Sequence, residues 1–325
     1  MNKLVIIDGN AILHRAFHAL PPMTGRDGQP THAIYGFIGM LLRIVQDLNP
    51  THLAVCFDRP EPTFRKSMYV GYQANRPEMD NALSSQIDSL KNLITAMNVS
   101  IYELAGFEAD DLIGTLAKQA YKNNFYEIVI ITGDRDILQL VNDKVHVYMP
   151  IQGLTNAKMY YEKDVEEKYG LHPIQVIDYK ALAGDASDNY PGVRGIGPKT
   201  ASTLIQRYGT IEGIYDAIRE KKDSAELLKE KTIKALADCA EDCVMAKKLA
   251  TIVTDVPISF DMEKTELHDL NTMEAQEEME LIGFNTLRNR LSSYRNQVNK
   301  GKKEPSYAKA SEGKKKKESE QLSLV

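Results

Sequence analysis

Apolar residues in this chain gather in short unbroken runs, separated by longer stretches of helical period. Lys3–Ile7, His52–Phe57, Ser100–Tyr102, Glu127–Thr132 and Val145–Met149 read as strands. Most are continuous rather than alternating, the pattern of strands covered on both faces. Between them Ile34, Phe37, Ile38, Leu41, Leu42 and Val45 recur with helical spacing, as do Leu112, Ile113, Leu116, Ala117 and Ala120. Strands alternating with helices predict an α/β fold with a mostly parallel central sheet over residues 1–172. From 173 to about 295 the pattern turns helical and turn-rich, and a second, all-α region is expected there. No internal repeat is present.

The way three of these runs end changes the picture from architecture to chemistry. Leu4–Ile7 leads into Asp8, Leu53–Phe57 into Asp58, and Ile128–Gly133 into Asp134, with Asp136 two residues on. In an open parallel sheet the carboxyl ends of the strands form the ligand crevice. A single Asp there is accounted for as a helix N-cap; three at corresponding ends are harder to explain that way. Glu108, Asp110 and Asp111 precede the helical run 112–121, and Asp185 and Asp188 occupy the turn Gly184–Asn189. Either group alone fits the general enrichment of acids at helix N-termini. Together they make nine carboxylates, which repel one another unless protonated or bridged by cations. An all-oxygen donor set suits Mg²⁺ or Mn²⁺ rather than zinc or copper. Two such cations close together stabilise the attacking and leaving oxygens of an in-line phosphoryl displacement. Metal-dependent hydrolysis of phosphodiesters is therefore the expected chemistry.

Net charge at first argues the other way. The 325 residues sum to −5, whereas nucleic-acid binders usually carry a positive surface. The distribution matters more than the sum. Residues 300–325 hold eight lysines against four glutamates, so the rest of the chain carries −9. That deficit equals in size the nine carboxylates assigned to cations. The lysine-rich stretch 296–325 has almost no large apolar residue and reads as a disordered tail or linker. Hydrophobic residues at 43% and charged ones at 26% are otherwise ordinary for a globular protein. Cys56, Cys239 and Cys243 are too few for a disulfide framework. No run approaches the length of a membrane span, and Asp8 interrupts the first apolar run too early for a signal peptide. A cytoplasmic setting is expected.

Other chemistries fail on inspection. His14 and His18 have helical spacing, but Arg15 stands where a zinc protease motif needs Glu. The string Gly192–Thr200 lacks P-loop order, because Pro198 separates Gly197 from Lys199 and no strand precedes it. It reads better as a turn between helices, with Pro198 at the first helical position. Gly192, Gly195 and Gly197 would allow close backbone approach, and N–H groups at the helix start can hold a phosphate. Arg194, Lys199 and Thr200 add charge and a hydroxyl there. Such contacts position a duplex without reading its sequence. Upstream, Phe64, Arg65, Lys66, Tyr69, Tyr72 and Arg76 interleave bases with aromatics among three prolines. That is equally a surface loop or a stacking platform for single-stranded nucleic acid.

In ordered combination these motifs resemble the 5′-nuclease (flap endonuclease-like) domains of bacterial DNA polymerase I, over roughly residues 2–292. The residues that carry the resemblance are Val5–Gly9, Val55–Asp58, the Phe64–Arg76 segment, Gly106–Asp111, Thr132–Asp136 and Gly184–Gly192. The resemblance implies a PIN-like nuclease core in 1–172, with a helical arch at about 62–95 over the site. It implies a helical C-terminal region, 173–295, with a helix–three-turn–helix duplex clamp at about 188–220. It also implies one cation group at Asp8, Asp58, Glu108, Asp110 and Asp111, and a second at Asp134, Asp136, Asp185 and Asp188. Arg15 and Arg76 are expected to contact phosphates, Tyr72 to stack near the scissile nucleotide, and K⁺ to bridge the glycine turn to a duplex phosphate. The implied partners are DNA with 5′ ends, flaps or nicks and RNA primers annealed to DNA, with a monomeric chain and a polymerase module as further expectations. Two alternatives remain: a PIN-like endoribonuclease, and a branched-DNA-binding module without catalysis. One departure keeps the latter open, because Gln73 stands where the family usually has lysine.

Overall fold

The computed structural model describes residues 2–152, 156–220 and 228–298; most of the lysine-rich tail lies outside them. In chain order, β1 (Lys3–Asp8) leads into α1 (Gly9–Ala19) and α2 (His32–Leu48), and then β2 (His52–Cys56). Three helices follow: α3 (Phe64–Met68), α4 (Asn81–Ser84) and α5 (Ile87–Ala96). Next come β3 (Ser100–Tyr102), α6 (Ala109–Lys122), β4 (Glu127–Ile131), β5 (Val145–Gln152) and β6 (Asn156–Tyr160). The remainder is helical: α7 (Glu162–Tyr169), α8 (Val176–Ala183), α9 (Pro198–Tyr208) and α10 (Ile211–Glu220). It continues through α11 (Glu230–Asp238), α12 (Ala240–Ala250), α13 (Met262–Thr265), α14 (Met273–Ile282) and α15 (Asn285–Val298).

The strands form one sheet in the order β3-β2-β1-β4-β5-β6, parallel except for the β5–β6 pair. The five predicted strands are present, and β6 is an added antiparallel edge. Because side chains alternate across a strand, Val5, Ile7, Leu53, Val55, Val129 and Ile131 enter one core, with α2, α5, α14 and α15. Leu4, Ile6, Ala54, Cys56, Ile128 and Ile130 enter the other, under α6. Burial on both faces is the physical reason for the continuous apolar runs. The chain crosses from β1 to β2 and β3 on one side and returns through α6 to β4 on the other. The β1/β4 boundary is therefore a topological switch point, the place where such sheets open a crevice.

A third core, formed largely by α8 to α12, makes the helical region expected after residue 172. It does not extend to 295. Residues beyond Ala250 return to the sheet, where α14 and α15 join the core on α2 and α5. The connecting segment runs along α6, held by three residues spaced four apart on one helix face. Asp111 accepts from the Val253 N–H at 2.9 Å, Thr115 from Val256 at 3.1 Å and Gln119 from Phe260 at 2.7 Å. Three polar residues on α6 thus satisfy backbone donors that would otherwise be buried without partners.

The segment 62–95 also departs from expectation. It is not one helical arch, since Leu90, Leu93 and Ile94 of α5 are fully buried in the sheet core. Within this segment α3 and the irregular stretch after it bond to the start of α6 and to the 184–190 turn.

Candidate active site

Asp8 closes β1 and caps α1, its Oδ1 accepting from the Ala11 N–H at 2.9 Å. Its Oδ2 accepts from the Thr132 hydroxyl at 2.6 Å, across the switch point. Asp58, two residues past β2, accepts from the Ala109 N–H at 2.7 Å and so caps α6 from a neighbouring strand. The N-cap reading of these acids is therefore correct as far as it goes, but each oxygen keeps lone-pair capacity beyond its cap. Asp110, in the first turn of α6, feels the charges of Asp134, Asp8, Asp58 and Glu108.

Burial and mutual repulsion hold these groups well away from ordinary carboxylate behaviour. Burial, with added repulsion from Asp58 and Asp134, pushes Asp8 up to about 7 against its two hydrogen bonds. Asp110 is raised by burial and by four neighbouring acids, and Asp58 chiefly by burial. Burial and the Asp134 charge push Asp136 up to about 7 as well. Asp134 acts on both predicted groups, for its charge reaches Asp8 and Asp110 on one side and Asp136 and Asp188 on the other. The two sets of acids are thus coupled electrostatically through Asp134.

Oxygens of Asp136, Asp185 and Asp188 lie within 4.8 Å of one another, a spacing that could hold a cation. The Asp185 turn is closed by paired backbone hydrogen bonds with Tyr190 at 3.0 and 3.1 Å. Lys180 enters this group from α8 and pairs with both Asp136 and Asp185. Burial opposes the Asp185 charge, but hydrogen bonds from Lys180 and Ser187 hold its carboxyl below the ordinary range. Lys180 is a residue that the motif reading missed. The available signal was a lone lysine in the otherwise mostly apolar helix 176–183, one turn ahead of an acidic loop. The Tyr190 hydroxyl, also missed, is buried beside these charges with no hydrogen-bond partner among the described residues. An orphaned polar atom, crowded oxygen donors and raised proton affinities together fit divalent cations with their hydration water.

The irregular stretch after α3 docks on the same acidic turn. Arg76 donates to Asp188 Oδ1 at 2.7 Å and Gln73 Nε2 to the same oxygen at 3.2 Å. The Gln73 N–H bonds the Asp188 carbonyl at 2.8 Å, with Gln73 at φ +54°. Asn75 and Asn189 join side chains at 2.7 Å, and Asn189 donates to the Gly71 carbonyl at 2.7 Å. Arg15 lies on α1, half-buried, and Lys66 is exposed on α3.

Five expected site residues prove to have internal roles. Arg65 is 2% exposed and cannot present its guanidinium to DNA. It forms a two-pronged pair with Asp111 at 2.7 and 2.8 Å and donates to the carbonyls of Leu249 and Thr251. Asp111 is fully buried, and its oxygens also accept from the N–H groups of Glu108 and Val253, so it is an anchor rather than a cation ligand. Tyr72 is 4% exposed and donates its hydroxyl to Glu108 Oε2 at 3.0 Å, leaving no ring face for stacking. Glu108 is held further by the Thr63 hydroxyl at 2.9 Å. Phe64, half-buried, packs on Phe107 with ring centroids 5.9 Å apart.

Gly192 is the fifth. A Cβ there would lie 2.3 Å from the Gly184 nitrogen and 2.4 Å from the Ala183 carbonyl carbon. Its close approach is to the acidic turn, not to a ligand. Gly195, at φ +89°, and Gly197 instead face open space, as do the exposed Arg194, Lys199 and Thr200. Gly192→Ala should therefore lower stability by roughly 1–3 kcal/mol, the range for overpacking. Gly197→Ala, at the N-cap of α9 with open space around it, should cost less, about 0.5–1 kcal/mol. Urea unfolding of the two variants checks the contrast, and equal costs would contradict it.

Comparison with known proteins was consistent with this geometry. The family model described as "5'-3' exonuclease, N-terminal resolvase-like domain" matches residues 3–170, and "5'-3' exonuclease, C-terminal SAM fold" matches residues 171–273. DNA polymerase I of Bacillus subtilis is 41% identical over 289 residues, which are 89% of this chain and 32% of that protein. DNA polymerase I of Caldicellulosiruptor bescii is 42% identical over 291 residues, 89% of this chain and 33% of that protein. The chain thus spans about a third of the length of the curated relatives it matches. Among solved structures, the T5 5'-exonuclease with bound divalent zinc superposes with a TM-score of 0.63 at 21% identity, covering 91% of this chain and 99% of that one. The catalytic core of Rad2 in complex with DNA substrate gives 0.56 at 14% identity, covering 90% of each chain. Both likenesses are of fold.

Proposed function

Because this chain belongs to the 5′-3′ exonuclease family, we propose that it is a structure-selective 5′ nuclease hydrolysing DNA phosphodiesters at 5′ ends and flaps. RNA primers annealed to DNA are a second substrate on this reading, and lagging-strand maturation and excision repair its setting. The observation that carries it is the convergence of carboxylates from the ends of β1, β2 and β4, the start of α6 and the 184–190 turn on the sheet's switch point. The T5 and Rad2 structures hold divalent ions or DNA in the same fold, which supports the assignment.

Asp8, Asp58, Glu108 and Asp110 would hold one divalent cation, and Asp136, Asp185 and Asp188 another, with Asp134 between them. When bound, such cations supply the positive charge that generates a nucleophile from water and stabilises the departing 3′ oxygen; Mg²⁺ or Mn²⁺ suits the donors. The chain's own residues do the rest. Thr132 and Ala11 orient Asp8, while Thr63 and Tyr72 orient Glu108. Arg76 and Gln73, now on Asp188, carry the donors nearest to where a phosphate would meet the acids. The glycine turn opening α9 presents Arg194, Lys199 and backbone N–H groups to a duplex, with K⁺ as an added bridge. Backbone contacts of this kind give selectivity for shape over sequence.

Gln73 sets the pace in this account. An uncharged amide cannot match the transition-state stabilisation of an ammonium beside a phosphate. Gln73→Lys is expected to raise the single-turnover rate on a 5′-flap duplex by about tenfold or more, and an unchanged rate would reject that role for position 73.

A further inference from the structure

The rim of the carboxylate centre carries a second feature of opposite sign. Arg135 sits between Asp134 and Asp136 and is exposed. Lys168, at the end of α7, lies 5.6 Å above the Tyr160 ring and 5.0 Å above the Tyr169 ring. Tyr169 in turn packs on Tyr179 of α8 with centroids 5.5 Å apart. Neither Arg135 nor Lys168 forms an ion pair with a described residue. The third cation nearby, Lys158, stands 4.6 Å over Tyr160 and is matched by Asp164 at 3.0 Å. Exposed cations on α7 have glutamates for neighbours in sequence, but Glu166 faces the His172 ring at 2.6 Å instead.

Cations without an acidic partner disfavour one another's charge where their fields overlap. Partial burial of the lysine stem, with Arg135 and Lys158 alongside, holds the Lys168 ammonium below its ordinary value. This mirrors, in sign, the crowding of the acids a few residues away, and an anion relieves it as cations relieve the acids. The tyrosine faces fix where the ammonium stands, since cation–π contact limits its freedom. The position is suggestive too. Gln206 of α9 donates to the Gly170 carbonyl at 2.9 Å, directly after Tyr169. The patch therefore adjoins the last turn of α9 on one side and the carboxylate centre, through Arg135, on the other.

We propose that Arg135 and Lys168, backed by Tyr160 and Tyr169, form a phosphate-binding patch for the nucleic-acid backbone on the rim of the carboxylate centre. The patch rests on the nuclease reading for its ligand, but is tested separately from it. Binding of a fluorescent 5′-flap duplex is followed by anisotropy in EDTA across a salt series, for the unaltered chain, Lys168→Ala, Lys168→Glu and Lys163→Ala. Loss of one phosphate contact lowers the slope of log affinity against log salt by roughly 1. Lys168→Ala is expected to show that change with Kd raised about 3- to 10-fold, Lys168→Glu a larger one, and Lys163→Ala none. In Mg²⁺, Lys168→Ala should raise KM while kcat stays within about twofold. Equal Kd and equal salt slope for Lys168→Glu and the unaltered chain would overturn the patch. Tight binding by the unaltered chain without any cleavage in Mg²⁺ would overturn the nuclease reading and leave the patch standing.

Discussion

Arg65→Met is expected to cost the chain roughly 3–5 kcal/mol, the penalty for leaving one partner of a buried ion pair alone. The partner is Asp111, fully buried and bonded through both oxygens. Loss of the guanidinium also strands the carbonyls of Leu249 and Thr251, which close the helical region back onto the sheet. Arg65 further approaches Glu108 at 3.3 Å, so its loss also removes a positive charge from beside that carboxylate. Lys66→Met, one residue on and exposed, should leave stability within about 0.5 kcal/mol. Denaturant unfolding of both separates an anchor from a surface contact. Similar small losses would mean that the pair is dispensable.

Asp134→Asn is expected to have opposite effects on activity and stability. Asp134 is the acid whose charge reaches both halves of the centre. Losing several kcal/mol of cation-borne transition-state stabilisation should lower cleavage about 10³-fold or more. Without cations, however, the same change relieves repulsion. Asp8 and Asp136 each stand at about 7 in the folded chain against an ordinary 3.8. Between those values the folded chain binds protons that the unfolded chain has released, so stability in EDTA falls as pH rises from about 4 to about 7. At pH 8 the unaltered chain is therefore at its weakest in EDTA, and Mg²⁺ should raise its melting temperature more there than at pH 6. Asp134→Asn should flatten the pH dependence and melt higher in EDTA at pH 8. A lower melting temperature for the variant under those conditions would contradict the crowding argument.

Much of this was legible in the chain because burial on two faces writes continuous apolar runs, and because the acids follow those runs directly. Asp8, Asp58 and Asp134 follow strands that pair in parallel, so their position at one edge of the sheet follows from the strand runs alone. β6 was not legible, since Asn-Ala-Lys-Met-Tyr lacks both alternation and a continuous apolar run. Arg65 and Asp111 misled for a different reason. A buried ion pair looks in sequence like two exposed charges, and only the fold shows that they meet across 46 residues. Tyr72 misled likewise, because an aromatic beside bases reads as a platform whichever way its ring is turned. The return of residues beyond 250 to the sheet depends on Asp111, Thr115 and Gln119 accepting from a distant segment. No local pattern records that. Gly192 was read correctly as a site of close approach, but the approaching backbone is the protein's own.

The proposed role of these carboxylates is to hold the divalent cations that cut DNA. It is tested most directly by incubating the chain with a 5′-flap duplex labelled at its 5′ end, in Mg²⁺ and then in EDTA. Short labelled products from the 5′ end are expected in Mg²⁺ and none in EDTA. Tight binding of the duplex with no Mg²⁺-dependent product, or cleavage that EDTA does not stop, would contradict it.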